Sequence, residues 1–356
     1  MELFATATQL IGPLTFSLAT PDALTTGSAP STAASTTAPP ADCAVLFVTE
    51  EQASSQSLPL SCLGSLISAD ELKLTATQWS DFKAKAKQTL VLYPPSTSSS
   101  SITRLLLVGL GKQSAISAST IRSATHAAVA TLKAKRVGHA VLALPDVEVK
   151  ADEEGEKAGL ETVLETLVRI AVLSNHSFSK YVTRNKDGEK AHQLEHLTLV
   201  HPSFSSSSTH NATVKRSATI AESTLFCRDL ANDRADTMTP SAIEAIAHKV
   251  ATTHQLPFTV VKGDALHTEG LTLIEAVGQG AKEGEKARLV VLRYVGDTDT
   301  QDCIALVGKT ITFDTGTDSP HQYFITHAKL QTALCLHSLT DAVSVRRAQH
   351  EKHGRH

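Results

Sequence analysis

Residues 288 to 316 read RLVVLRYVGDTDTQDCIALVGKTITFDTG. Two nearly continuous apolar runs, RLVVLRY (288–294) and CIALVG (303–308), flank a polar, turn-forming DTDTQD. Short runs of this kind predict strands covered on both faces, as in a parallel or mixed sheet. Lys309 and Asp314 then fall just beyond the second strand. Side chains leaving the carboxyl end of a buried strand point into the crevice where open α/β sheets take their ligands. A carboxylate there is a natural donor to a divalent cation, and a lysine amine can join it where the ion's own charge keeps the amine neutral.

Upstream, FTVVK (258–262) predicts a further strand of the same sheet. Before it stands a well-marked helix start: Thr239 can cap the free amides, Pro240 fits the first turn, and Ile243, Ile246, Ala247 and Val250 form one apolar stripe. In the first half, CAVLFVTE (43–50), TLVLYP (89–94), RLLLVG (104–109), HAVLAL (139–144) and EHLTLVHP (195–202) predict strands. Leu160, Val163, Leu164, Leu167, Val168 and Ala171 have the spacing of one helix face. A second helix is expected from about Asn211 to Leu230. Strands alternating with helices argue for layered α/β structure throughout.

The expected organisation is an amino-terminal segment and Ser/Thr/Ala/Pro-rich tether over 1–42, then an α/β domain over 43–208. A linking helix follows at 209–231, a second α/β domain at 232–316, and a compositionally different, poorly ordered tail at 317–356. The tether cannot bury enough apolar surface to offset its ordering entropy. A formal charge of −3, from 33 basic and 36 acidic side chains, supplies no field to draw in nucleic acid or an anionic membrane. Five scattered cysteines without a CxxC pair read as reduced thiols of a cytoplasmic protein. The first twenty residues lack the cationic start of a secretory signal.

Several features carry plainer readings. Gly109 and Gly111 follow a strand but lack the third glycine of a dinucleotide fingerprint, so a tight strand-to-helix turn is expected. Cys227 is expected to be a buried structural thiol. Glu153, Glu154 and Glu156 suit a helix start. His350, His353 and His356 suit a solvated terminus.

LANDRADTMTPSAIEAIA (230–247), EAVGQGAKEGEKARLVVLRYVG (275–296) and CIALVGKTITFDTG (303–316) resemble, in order and spacing, the start of the catalytic domain of the leucyl aminopeptidase (cytosol aminopeptidase) family. RLLLVGLGK (104–112) looks like that family's amino-terminal domain. The resemblance implies a macro-like amino-terminal α/β domain and a metallopeptidase domain with a mixed central sheet, incomplete in this chain. It implies two divalent ions (zinc, manganese or magnesium), with Lys309 binding one and Asp314 bridging both. It also implies a homohexamer that removes leucine-type amino-terminal residues from peptides.

After Gly316 the family continues with a second glycine, an oxyanion-stabilising lysine, an aspartate in D-M-G-G-A and later D-A-E-G-R, whereas this chain reads TDSPHQYFITHAKLQTALCLHSLTDAV. Thr340, Asp341 and Ala342 echo the last motif too near Asp314, with Val343 where a glutamate belongs. Two donors predict weak metal binding and an inactive chain. A non-catalytic paralogue serving as a binding or assembly subunit is the alternative.

Overall fold

The computed structural model describes residues 14–23, 41–64, 66–67, 72, 74–94, 102–147, 149, 159–182, 192–204, 208–296, 303–312 and 331–338. The chain divides into two compact units, Met1–Asp229 and Leu230–His356. The tether at 24–40, the Glu153–Glu156 cluster and the terminal histidines lie outside the described residues.

The first unit is built on a six-stranded sheet: β1 (Thr15–Ala19), β2 (Cys43–Thr49), β3 (Thr89–Leu92), β4 (Arg104–Gly111), β5 (His139–Ala143) and β6 (His196–Val200), ordered β1-β6-β5-β2-β4-β3. Every neighbouring pair is parallel except β3 with β4. All seven residues of β2 are buried. Its side chains alternate, Cys43, Val45 and Phe47 entering one core and Ala44, Leu46 and Val48 the other. The first core is closed by α3 (Ala118–Ala134), α4 (Leu160–Asn175) and part of α5 (Ser208–Asn232), through Ile121, Leu132, Leu164, Leu167 and Ala221. The second is closed by short pieces: α1 (Glu50–Ser54), a 3-10 turn at Leu60–Leu63 and α2 (Ala76–Asp81), with Leu63, Trp79 and Phe82.

Local chemistry sets the helix starts. Thr49, Thr75 and Ser117 each form a reciprocal box with the residue three places on, and each box satisfies two amides that the helix leaves orphaned. At the other end of α4, the Lys133 ammonium donates to the carbonyls of Ser174 (3.2 Å) and Asn175 (2.9 Å) and so caps the helix from α3.

Gly109 and Gly111 lie inside β4 rather than in a turn after it. Residues 84–88 fold back across this end of the strand: Gly109 N–H donates to the Gln88 carbonyl, Lys87 N–H to the Gly109 carbonyl, and Gly111 N–H to the Ala84 carbonyl. A Cβ on Gly109 would stand 2.1 Å from the Lys85 carbonyl oxygen. Glycine at 109 is therefore a requirement of close backbone approach.

The second unit carries a four-stranded sheet of β7 (Phe258–Lys262), β8 (Arg288–Tyr294), β9 (Ala305–Ile311) and β10 (Gln331–Ser338), ordered β7-β8-β10-β9. β8 and β10 are parallel, and the two outer pairs are antiparallel. Residues 331–338 belong to the stretch expected to be poorly ordered, but they supply an inner strand of this sheet. α6 (Pro240–His254) covers one face through Ala247 and Ala251 against Val290 and Leu292. Its Thr239 cap accepts from Ala242 N–H, as the sequence predicts. α7 (Asp264–Thr268) and α8 (Thr272–Gly278) gather Leu266, Ala287 and Val261 on the other face.

Arg288, 5% exposed, is held by the Glu244 carboxylate and donates to the Gly284 carbonyl at 2.7 Å, while Lys262 reaches the same carboxylate at 2.8 Å. Burial alone would raise the Glu244 carboxyl, but the hydrogen bonds from Lys262 and Arg288 outweigh it and hold the group below the usual range. The charge therefore stabilises the fold above the ordinary glutamate range, and that contribution is lost as pH falls through the lowered value.

Two outcomes follow from these contacts. Gly109→Ala forces backbone apart where no flexible side chain can yield, and should lower the stability of the first unit by about 3 kcal/mol or more, read by urea unfolding. Glu244→Gln leaves Arg288 without its counter-charge and should cost the second unit about 3 kcal/mol, read by hydrogen exchange of β8 amides.

Candidate metal-ligand positions on the second sheet

The strand expected at 303–308 runs from Ala305 to Ile311, so Lys309 sits within β9 instead of beyond it. The shift has a physical origin. Thr310 and Ile311 extend the β-branched pattern, and the pairing with β10 holds them in register, Thr310 with Thr332 and Ile311 with Gln331. The register, carried through the backbone of β10, places Val261, Leu289 and Lys309 in one row across the sheet. The Val261 end of that row is packed by Leu271 and Ile274. The Lys309 end is exposed.

Burial on both faces, expected for these strands, is not reached: β8 buries Arg288, Val290 and Leu292 on one face, while Leu289 and Val291 on the other are half-buried. Val290 and Leu292 are buried, whereas six of the seven β9 residues are exposed, Val307 at 75% and Leu306 at 62%. β9 is an edge strand, and among the described residues no helix makes extended contact with it. Its apolar run reflects unsatisfied rather than completed packing.

Asp314 lies outside the described residues. Among the described residues, no group of three or more His, Cys, Asp or Glu side chains could hold a metal ion. Lys309 by itself does not fit a two-ion site.

The upstream Asn-Asp-Arg-Ala-Asp-Thr stretch forms a local turn. Arg234 Nε donates to Asp236 at 3.0 Å, and this bond, with the guanidinium charge, lowers the Asp236 carboxyl. Glu285 receives Ser241 N–H at 3.1 Å and the Ser241 hydroxyl at 2.6 Å, a second carboxylate at the start of α6. These contacts fix how the chain enters α6 and β8. The sequence marked Thr239 but not Glu285, whose role depends on a partner 44 residues away.

Elsewhere, the residues that follow the glycine-rich end of β4 are tied to α1. The Gln113 amide donates to both Glu51 oxygens, at 3.0 and 3.2 Å, and this bond is the main cause holding the Glu51 carboxyl down. Cys227, expected to be buried, is exposed on α5, because only the Thr213–Ser217–Ala221 stripe of that helix turns inward. Among the described cysteines Cys43 is the buried thiol, and burial together with the Asp42 charge pushes it up to about 12. Among the described residues no helix is long and apolar enough to cross a membrane.

A mixed α/β chain whose second sheet carries Lys309, at the start of a GK-x-x-x-FD-[ST]-G sequence pattern, has the layout of a metallopeptidase. Comparison with known proteins agrees. The family models "Cytosol aminopeptidase family, N-terminal domain" and "Cytosol aminopeptidase family, catalytic domain" match residues 45–185 and 225–320. The chain belongs to the cytosol aminopeptidase family.

A probable cytosol aminopeptidase of Geobacter sp. (strain M21) is 31% identical over 213 residues, which are 60% of this chain and 40% of that protein. One from Koribacter versatilis is 31% identical over 221 residues, 60% of this chain and 42% of that protein. The chain thus spans about two fifths of these relatives' length. Among solved structures, a variant of tomato leucine aminopeptidase superposes with TM-score 0.59 at 16% identity, covering 94% of this chain and 64% of that one. The bottromycin maturation enzyme BotP in complex with Mn superposes with TM-score 0.52 at 19% identity, covering 84% and 59%. At such identities these two speak for the fold.

Because Lys309 is exposed on an edge strand, Lys309→Ala should change thermal stability by no more than about 0.5 kcal/mol. A melting curve close to that of the unsubstituted chain checks this, and would assign any loss of metal affinity in the variant to the amine itself.

Proposed function

We propose that the second unit is the leading part of a metal-dependent aminopeptidase domain, and that the family reaction, removal of leucine-type amino-terminal residues from peptides, is the chemistry its sheet was built to serve. The observation that carries this reading is the match of residues 225–320 to the catalytic domain, spanning both Lys309 and Asp314. In this reading the two are ligand-derived positions for divalent zinc, manganese or magnesium. Peptides are the substrates, nucleic acid and membranes are not partners, the location is cytoplasmic, and assembly follows a homohexameric plan.

The residues after Gly316 do not carry the second glycine, the oxyanion lysine or the two acidic motifs in matching places. A polypeptide of this sequence therefore binds metal weakly and does not turn over. Loss of one oxyanion-stabilising group alone costs roughly a hundredfold or more in rate. The alternative, a non-catalytic binding or assembly subunit, draws support from β9, where exposed Leu306, Val307 and Ile311 form an apolar edge suited to a partner.

Incubation of the purified chain with leucine p-nitroanilide and manganese should release no nitroaniline above the metal-only blank, and calorimetry with manganese should give weak heats. Sustained release at enzyme-limited rates would overturn the inactive reading and support the family reaction in this polypeptide. Sedimentation of the same sample distinguishes a hexamer from smaller species.

A further inference from the structure

A chain of hydroxyls and imidazoles crosses one end of the first sheet. Thr15 and Ser17 of β1, His196 and Thr198 of β6 and His139 of β5 lie on one face, the register pairing Thr15 with His196, Ser17 with Thr198 and His139 with His196. The Thr15 hydroxyl donates to the Glu195 carbonyl at 2.9 Å and lies 2.6 Å from His196 Nδ1. Ser17 Oγ is 2.9 Å from His196 Nε2 and 3.0 Å from Thr198 Oγ1, which is 3.0 Å from His139 Nε2. The two rings meet edge to face with centroids 4.6 Å apart.

One hydrogen per hydroxyl fixes the direction of this chain. Because Thr15 gives its hydrogen to the Glu195 carbonyl, it accepts from His196 Nδ1–H. His196 Nε2 then accepts from Ser17, Ser17 accepts from Thr198, and Thr198 accepts from His139 Nε2–H. All five contacts are made with a neutral His196. The reverse direction, with Thr15 donating to His196, forfeits the bond to Glu195 and makes one fewer.

A proton added at His196 Nε2 changes the sequence of donors. Ser17 must now accept from the ring and donate to Thr198, and Thr198 must donate to His139 Nε2. That nitrogen must then be without hydrogen. The two imidazoles therefore accommodate one added proton between them, and a second would set two cations edge to face across the same hydroxyls.

Among the described residues, no carboxylate takes part in this hydroxyl–imidazole chain to welcome even the first. β1 contributes only Thr15 and Ser17 to this face, β6 contributes Thr198, and β5 contributes His139. Glu195 is exposed, Asp42 is paired with Arg104 at 3.5 Å, and His192 Nε2 is engaged at the Val137 carbonyl, 3.0 Å away. At the opposite end of β6, His201 interacts with Asp146 and His210 as a separate group. Burial and then the charge of His139 lower His196 from 6.5 to about 4.

We propose that this hydroxyl–imidazole chain is an acid-sensitive catch for β1: the edge strand is held to β6 while the two imidazoles carry at most one added proton between them, and is released when both are protonated. The strand has a single neighbour, β6, and the catch supplies the polar side-chain tie across that seam, beside the backbone ladder and the packing of Phe16 and Leu18 on the core. The sign follows from the lowered value. The unfolded or released imidazole takes its proton near 6.5, the held one only near 4, so the hold is complete above about pH 6.5 and is lost progressively down to about pH 4.

Hydrogen exchange of the full chain, read on peptides covering residues 14–20 and corrected for intrinsic rates, tests this. Protection of β1 should fall on the order of tenfold or more between pH 7.5 and pH 4.5, with β2 and β4 keeping theirs. His196→Gln, which can bond both hydroxyls without titrating, should show equal β1 protection at the two pH values. Unchanged wild-type protection, or the same loss in His196→Gln, would overturn the proposal. Nitrogen-15 imidazole shifts of the unsubstituted protein supply a reading independent of that variant's folding. A His196 midpoint near 6.5 would overturn the proposal, and one close to 4 with bonded-tautomer shifts would support it.

Discussion

Strict alternation of side chains along β2 is the constraint on which the first unit rests. With parallel neighbours on both sides and every residue buried, successive positions have no solvent face to retreat to. Three side chains serve the core under α3 and α4, and three serve the core under the short elements around Trp79 and Phe82. A slip of one residue would exchange these two sets, sending Phe47 into a space shaped by Val48. The irregular step between Val48 and Thr49, opposite Gly109 and Gly111, ends the regular ladder where the backbone of residues 84–88 crosses. The alternation and the close crossing therefore support one another: the ladder stops where glycine lets a second chain segment take over its hydrogen bonds.

The second unit is organised differently. Its strength is concentrated at β8, which has a strand on either side, α6 on one face and the Leu266–Ala287 group on the other. Moving outward to β9, cover is lost within two strands. Lys309 shares a row with the well-packed Val261, yet it is solvated, while Glu244 and Arg288 form the buried ionic group of the unit. Family membership thus attaches to a sheet whose best-fixed charges are structural and whose ligand-derived position lies at the margin.

Much of the architecture could be read from local pattern. The bounds of β7 and β8 are those of FTVVK and RLVVLRY, and the six-residue stripe from Leu160 to Ala171 marks α4 because five of its six positions are Leu or Val. α3 is harder to see, since its buried stripe mixes Ile121 and Leu132 with Ala124, Thr125 and Ala128, and small residues give a weak period. β1 escapes because TFSLA is short and its Thr and Ser face hydroxyl and imidazole partners about 180 residues away. The candidate site was legible as a motif and not as a place. Lys309 could be named, but whether it stood at a strand's end or inside it depended on pairing with β10, a partner the local sequence does not announce.

That pairing bears on the order in which the second sheet can be made. β9 has β10 as its strand neighbour, and β10 begins at Gln331, twenty residues after β9 ends at Ile311. A nascent chain therefore presents β9 with both edges open, and with Leu306 and Val307 uncovered, until the ribosome has delivered the strand that belongs between it and β8. Insertion of a late strand into the middle of a sheet demands a long-range closure before any ladder bond rewards it. Until that strand arrives, the open edge and the uncovered apolar run are the part of the growing chain most prone to pair with the wrong partner.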